Sequence, residues 1–190
     1  QVHPEVEKIS SPIWEPYTFY KRFTGKKASE KVYSGFINDK KESWTQKLSV
    51  FIRGNFFIPD ARKFWIKPGA KFLTKYLSEN KVDCIVSTGP PHSTHLIAYK
   101  VAKKTNTPWV ADFRDPWTNI DFYNQLRLTS WADKKHKKLE QLILQNASKI
   151  VTVSNSWADD FKNLSNRDVT VIRNGFDHAD FETEIAQLDE

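Results

Sequence analysis

Two short loops carry most of the chemistry this sequence offers: Ser87-Thr88-Gly89-Pro90-Pro91-His92-Ser93 and Ala111-Asp112-Phe113-Arg114-Asp115-Pro116-Trp117. In the first, Gly89 lets the chain turn tightly or approach a ligand, and the free N–H groups of a following helix suit an anion or a sugar hydroxyl. Thr88, Gly89, His92 and Ser93 are therefore candidate substrate contacts. His92 is also a candidate catalytic residue, because an imidazole there can hydrogen-bond a hydroxyl or phosphate in a charge state set by its neighbours. The same loop reads equally well as a plain strand-to-helix connection with Ser93 as N-cap. The second loop gathers two carboxylates, a guanidinium and an indole. Arg114 can fork onto an anion, Trp117 can stack on a sugar ring, Asp112 can bind a hydroxyl, and Asp115 is the candidate carboxylate for taking a proton from an acceptor hydroxyl. Its scaffold reading makes Asp115-Pro116 a helix start, Asp as cap and Pro in the first position, with Asp112 and Arg114 as a structural ion pair.

Other chemistries find less support. His92 and His95 are three apart, as metal ligands on a helix can be, but no Asp, Cys or second His cluster accompanies them, so no metal is expected. The first loop lacks the lysine and spacing of GxxxxGK[ST], and no GxGxxG fingerprint of a nucleotide-sugar epimerase or dehydrogenase occurs. Ser154 to Asp160 needs only helix-start chemistry to explain it. Arg173-Asn174-Gly175-Phe176-Asp177 has an Asn-Gly turn signal but a polar, acidic tail behind it, and reads as a domain exit.

The elements that must position these loops follow from periodicity. Apolar runs of four to six residues place strands at Asp83–Thr88, Trp109–Phe113, Lys149–Ser154 and Val169–Arg173, buried as in a parallel sheet. Helical spacing places helices from Ser43 to Gly54, from the Pro68 region to Asn80, from Ser93 to Lys104 with Ile97, Ala98, Val101 and Ala102 inward, from Leu128 to Asn146, and from Ser156 to Leu164. Strands alternating with helices predict an α/β fold, Rossmann-like and doubly wound, with a mostly parallel sheet and helices on both faces. Ligands of such sheets bind beyond the carboxyl ends of the strands, where both loops lie. Ahead of this pattern, residues 1–42 are irregular: Pro4, Pro12 and Pro16 interrupt them, only Val6 to Ile9 could form a short strand, and 25–42 reads as an exposed loop.

A chain of 190 residues, 39% hydrophobic, is enough for one core. Its single cysteine, Cys84, lies in an apolar run and reads as a small buried hydrophobe in a reducing compartment. No apolar stretch is long enough to cross a bilayer, and the N-terminal residues lack the order of a signal peptide, so a cytoplasmic location is expected. A net charge of +6 suits any anionic partner: nucleic acid, membrane surface or phosphorylated small molecule. A non-enzymatic anion- or nucleic-acid-binding module is the competing reading, but the basic residues are scattered and form no nucleic-acid motif. The basic, aromatic segment Arg53 to Trp65 suits an anionic membrane interface at the inner face of the membrane, or else is a connection with its aromatics packed inward.

Read in order, Ser87-Thr88-Gly89-Pro90-Pro91, Pro108 to Trp117, Val151-Thr152-Val153-Ser154 and Val171 to Asp177 resemble the N-terminal domain of group 1, family 4 glycosyltransferases of the two-Rossmann-domain GT-B type. The resemblance spans Ser43 to Phe181, and implies one half of a GT-B fold at 43–181, with 182–190 leading toward an absent C-terminal domain. It further implies transfer of a sugar from a nucleotide sugar, a UDP- or GDP-sugar, to an acceptor hydroxyl on a carbohydrate or lipid-linked acceptor, without a cofactor or obligatory metal, in surface polysaccharide or glycolipid synthesis. The N-terminal domain would shape the acceptor side and the missing domain would hold most of the donor, so this chain alone is expected to be inactive; an opening strand and glycine-rich loop are expected before Gln1. One departure stands out: where many members carry histidine after the second strand, this sequence has Arg114-Asp115. Either Asp115 or His92 then takes over the acceptor contact, or Arg114 pairs a phosphate of a lipid-linked acceptor.

Overall fold

The computed structural model describes residues 5–10, 13 and 44–176. The elements run α1 (Trp44–Phe56), a 3-10 turn (Lys63–Trp65), α2 (Ile66–Glu79), β1 (Ile85–Gly89), α3 (Ser93–Thr105), β2 (Trp109–Phe113), a second 3-10 turn (Tyr123–Leu126), α4 (Ser130–Asn146), β3 (Lys149–Thr152), α5 (Asn155–Ser165) and β4 (Val169–Val171). The four strands form one parallel sheet in the order β1-β2-β3-β4, with Gly89 beside Phe113 and Phe113 beside Thr152 at the carboxyl ends. This is the expected α/β, Rossmann-like arrangement.

Each crossover returns to the adjacent strand through one helix, and right-handed crossovers in a constant direction set α3, α4 and α5 on the same side. The pleat then decides what is buried. Trp109, Ala111, Phe113 and Ile150 point toward the helices and meet Leu96, Ala98, Ile143, Leu144 and Phe161 in the main core. Fully burying a side chain such as Phe113 or Ile143 stabilises the fold by about 1.5–3 kcal/mol. The alternate positions face the other way: Val86 is 66% and Ile172 55% exposed, with Val110 and Val151 half-buried. Among the described residues, the helices cover one face of the sheet and leave the second open. A second cluster joins Ala70, Leu73 and Leu77 of α2 to Ile97 and Val101 of α3, so α2 rides on α3 rather than on the sheet.

Several sequence expectations need correction. Cys84 is exposed, because β1 begins one residue later and the preceding connection lies at the surface. Val6 to Ile9 form no strand, and both end residues are about half exposed. β3 ends at Thr152 because Ser154 is already the cap of α5, its Oγ accepting from Trp157 N–H at 3.3 Å. Asp115-Pro116 starts no helix; α4 begins at Ser130, capped by Thr129, whose Oγ1 accepts from Ala132 N–H at 3.3 Å. The remaining expectations for 14–42 and 182–190 lie outside the described residues.

Candidate functional site at the strand ends

Two layers of side chains meet at the carboxyl edge of the sheet. On the open side, Thr88 and Asp112 occupy paired positions of β1 and β2, which brings the Thr88 hydroxyl to Asp112 Oδ2 at 3.1 Å. The same oxygen accepts from Arg114 Nε at 2.9 Å, and Arg114 Nη1 donates to Asn174 Oδ1 beyond β4. The Arg114 backbone N–H is itself held by Gly89 O at 2.9 Å. One hydrogen-bonded chain, Thr88, Asp112, Arg114, Asn174, therefore crosses the rim and fixes the guanidinium in place. Arg114 is 44% exposed against 12% for Asp112, so the carboxylate serves as the anchor and the guanidinium faces outward. The expected Asp112–Arg114 ion pair is present. Beside it, Asp115 is half-buried and has no hydrogen-bond partner among the described residues.

On the helix side the rim rests on an aromatic stack. The Trp117 ring lies parallel to His92, with centroids 4.7 Å apart, and Trp117 is 4% exposed. The ring face that sequence reasoning offered to a sugar is covered by His92, so Trp117 supports the rim instead of lining it. His95 is fully buried, 4.4 Å from the Phe113 ring. Its Nδ1 meets Ser87 Oγ at 2.7 Å, and that hydroxyl already accepts from Trp109 Nε1–H at 2.8 Å. The direction of the Ser87–His95 hydrogen bond follows the His95 tautomer, and His95 Nε2 is buried with no partner among the described residues. Burial holds the His95 pKa down at about 4, Asp112 pulling weakly the other way. Burial, then the neighbouring His95 and His136, hold His92 at about 3. Both imidazoles are thus neutral near pH 7.

Gly89 is required where these layers meet. A Cβ at this position would sit 2.5 Å from His95 Nε2 and 3.3 Å from His92 Nδ1. Ser93 is buried, and its side chain caps nothing. Its backbone N–H donates instead to Asp60 Oδ2 at 2.7 Å, so a carboxylate from 33 residues upstream occupies the start of α3, where an external anion would bind. The expectation of Ser93 as N-cap is thereby overturned: the Asp60 loop supplies the cap.

Of three further residues that sequence reasoning missed, two hold the second loop and the third holds the connection into α4. Buried Glu140 accepts from the N–H groups of Trp117 and Thr118 at 3.1 and 3.2 Å and from the Thr118 hydroxyl at 2.5 Å. Burial raises its pKa while those donors oppose the rise. His136, one turn earlier on α4, accepts from Trp117 Nε1–H at 3.0 Å and points Nε2 at Gly54 O, 3.2 Å away. Asn55 of α1 accepts from Thr129 N–H at 2.7 Å and donates to Arg127 O at 3.2 Å. A signal for two of them was present: His136 and Glu140 interrupt the apolar stripe of Ala132, Ile143 and Leu144 at helical spacing. Asp60 and Asn174 gave none, because their partners are remote in sequence.

The rim is an open ledge. One groove is lined by Thr118, Asn119, Tyr123, Asp133, Lys137 and Asp160, another by Asn155, Asp159, Lys162 and Asp168. Among the described residues no three His, Cys, Asp or Glu side chains gather to hold a metal, and no helix is long and apolar enough to cross a membrane.

Compared with known families, residues 32–180 match the model of Glycosyltransferase Family 4. The chain belongs to glycosyltransferase family 4. No curated protein matches it. For a family 4 domain, a parallel sheet with its polar side chains at the carboxyl edge agrees with glycosyl transfer as the general chemistry.

Proposed function

We propose that this domain forms the acceptor-side wall of an enzyme that moves a sugar from a UDP- or GDP-sugar to an acceptor hydroxyl in surface polysaccharide or glycolipid synthesis. The observation that carries the reading is the fixed Thr88–Asp112–Arg114–Asn174 chain, with the Asp115 carboxylate, which has no partner among the described residues, beside it. Asp112 holds the guanidinium by Nε and Asn174 holds it by Nη1, which leaves Nη2 to meet an anionic oxygen, a phosphate on a lipid-linked acceptor or on the donor. Asp115 takes the proton of the attacking hydroxyl, and a partner domain holds most of the donor. His92 packs under this ledge with Nδ1 buried, and acts through its contact with Trp117. The reaction needs no cofactor beyond the donor substrate, and the enzyme works at the cytoplasmic face of the membrane.

The test belongs in the protein that carries this domain together with a donor-binding domain. Asp115→Asn should lower sugar transfer about tenfold to a hundredfold with an unchanged melting temperature. Arg114→Lys keeps the charge but loses the fork, and should raise KM for the phosphorylated substrate more than it lowers kcat. Turnover unaffected by both substitutions would remove this rim from the chemistry.

A further inference from the structure

The loop that follows β2 leaves an open groove of about 670 Å³ between itself, α4 and α5. That volume falls within the roughly 300–1,000 Å³ of small-molecule sites. None of the residues of the Thr88–Asp112–Arg114–Asn174 chain lines it. Its walls are fixed by their own hydrogen bonds. Asp133 accepts from the Tyr123 hydroxyl through Oδ1 and from Lys137 Nζ through Oδ2, both at 3.0 Å. The Tyr123 ring is set edge-on to His136, with centroids 6.2 Å apart. Asp160 Oδ2 accepts from Asn119 Nδ2 at 2.6 Å, which ties the loop to α5. Walls ordered in advance lower the cost of binding.

The hydrogen-bonding capacity left over belongs to amides. Asn124, in the second 3-10 turn, and Asn163, on α5, are exposed, and their side chains have no partner among the described residues. Each offers two donors and an acceptor. Leu128, half-buried, and Leu164, 47% exposed, put aliphatic surface beside them. The charges of the lining cancel, Asp133 and Asp160 against Arg127 and Lys137. An uncharged ligand rich in hydroxyls meets these conditions: its hydroxyls donate and accept as the amides require, and its C–H faces pack on leucine. An anion gains little from a lining without net charge. A protein anchor needs a desolvated apolar pocket, which two leucines among amides and carboxylates do not make.

We propose that this groove binds a neutral oligosaccharide, the stretch of an acceptor glycan next to the sugar that reacts. Thr118 lines the groove and lies three residues from Asp115, so their Cα atoms are no more than about 11 Å apart. Glu140 holds the Trp117 and Thr118 N–H groups, which keeps this end of the groove fixed relative to the rim. The use of the groove as an acceptor subsite rests on the glycosyl-transfer reading, whereas the binding is read without a nucleotide sugar.

Nuclear magnetic resonance titration of the full, isotope-labelled chain with maltoheptaose, mannopentaose and chitopentaose, each uncharged, tests it. At least one should shift the signals of the groove, the Asn124 and Asn163 side-chain amides among them, and inorganic phosphate should not compete. Asn124→Ala with Asn163→Ala should weaken binding about tenfold, the usual worth of two neutral hydrogen bonds. Asn155→Ala, which removes an exposed amide from the other groove, should leave it unchanged. The dispersion of each spectrum shows whether the variant is folded. The proposal is overturned if none of the three sugars shifts groove signals, if the double variant binds as well as the parent or the Asn155 variant loses as much, if phosphate displaces the sugar, or if the groove mediates self-association in sedimentation velocity. Failure of the glycosyl-transfer reading would show separately, as unaffected turnover in the Asp115 and Arg114 variants.

Discussion

At the scale of single residues, the site depends on one missing side chain. Gly89 closes β1 against two buried imidazoles, and any Cβ there presses on His95 Nε2 at 2.5 Å. His95 has no room to swing aside, since it is fully buried and tied to Ser87. Gly89→Ala should therefore destabilise the fold by about 1–3 kcal/mol, the usual range for overpacking, read as a lower urea midpoint. An unchanged midpoint would mean that the His92–His95 layer can rearrange. The same contact explains why Gly89 was legible in the sequence as special while its reason was not: it makes room for the protein's own histidines.

At the scale of elements, the carboxyl edge of the sheet is held by side chains that reach across the chain. Asp60 caps α3 from a loop between α1 and α2, and His136 and Glu140 anchor the 116–118 loop to α4. Asp60→Ala should cost about 1–2 kcal/mol, the loss of a helix cap, and should free the Ser93 N–H. Hydrogen exchange would then show faster opening at the start of α3 while the sheet stays protected. If the loss spread evenly over the sheet, Asp60 would be part of the core rather than a cap. The strand and helix positions themselves were legible from hydrophobic period, and β2 coincides with its expected bounds at Trp109–Phe113.

At the scale of the whole molecule, the three buried histidines link folding to pH. His92 and His95 hold pKa values of about 3 and about 4, and burial also lowers His136, with the Gly54 carbonyl partly opposing. The unfolded chain takes up these protons below about pH 6.5, and the folded chain does not until its own pKa values are reached. Stability is therefore complete above pH 6.5 and is lost as the pH falls toward 4, by up to about 1.4 kcal/mol per pH unit for a histidine kept neutral. Thermal melts at pH 7 and pH 5 should show this drop, and His95→Gln should reduce it. An equal drop in that variant would assign the dependence to the carboxylates.

The sequence by itself determined the α/β class, the parallel order of strands and helices, and the two loops at the strand ends, because apolar periodicity and turn residues act over a few neighbouring positions. It also placed Asp112 and Arg114 within reach of one another, being only two residues apart at a strand end. Tertiary structure decided which loop residues face outward. Trp117 turned inward because His92, 25 positions earlier, covers its ring, and the start of α3 was filled by Asp60. The open sheet face and the exposure of Cys84 were likewise invisible in the sequence: an apolar run states that burial is favourable, and only the packed neighbours decide whether anything is there to bury it.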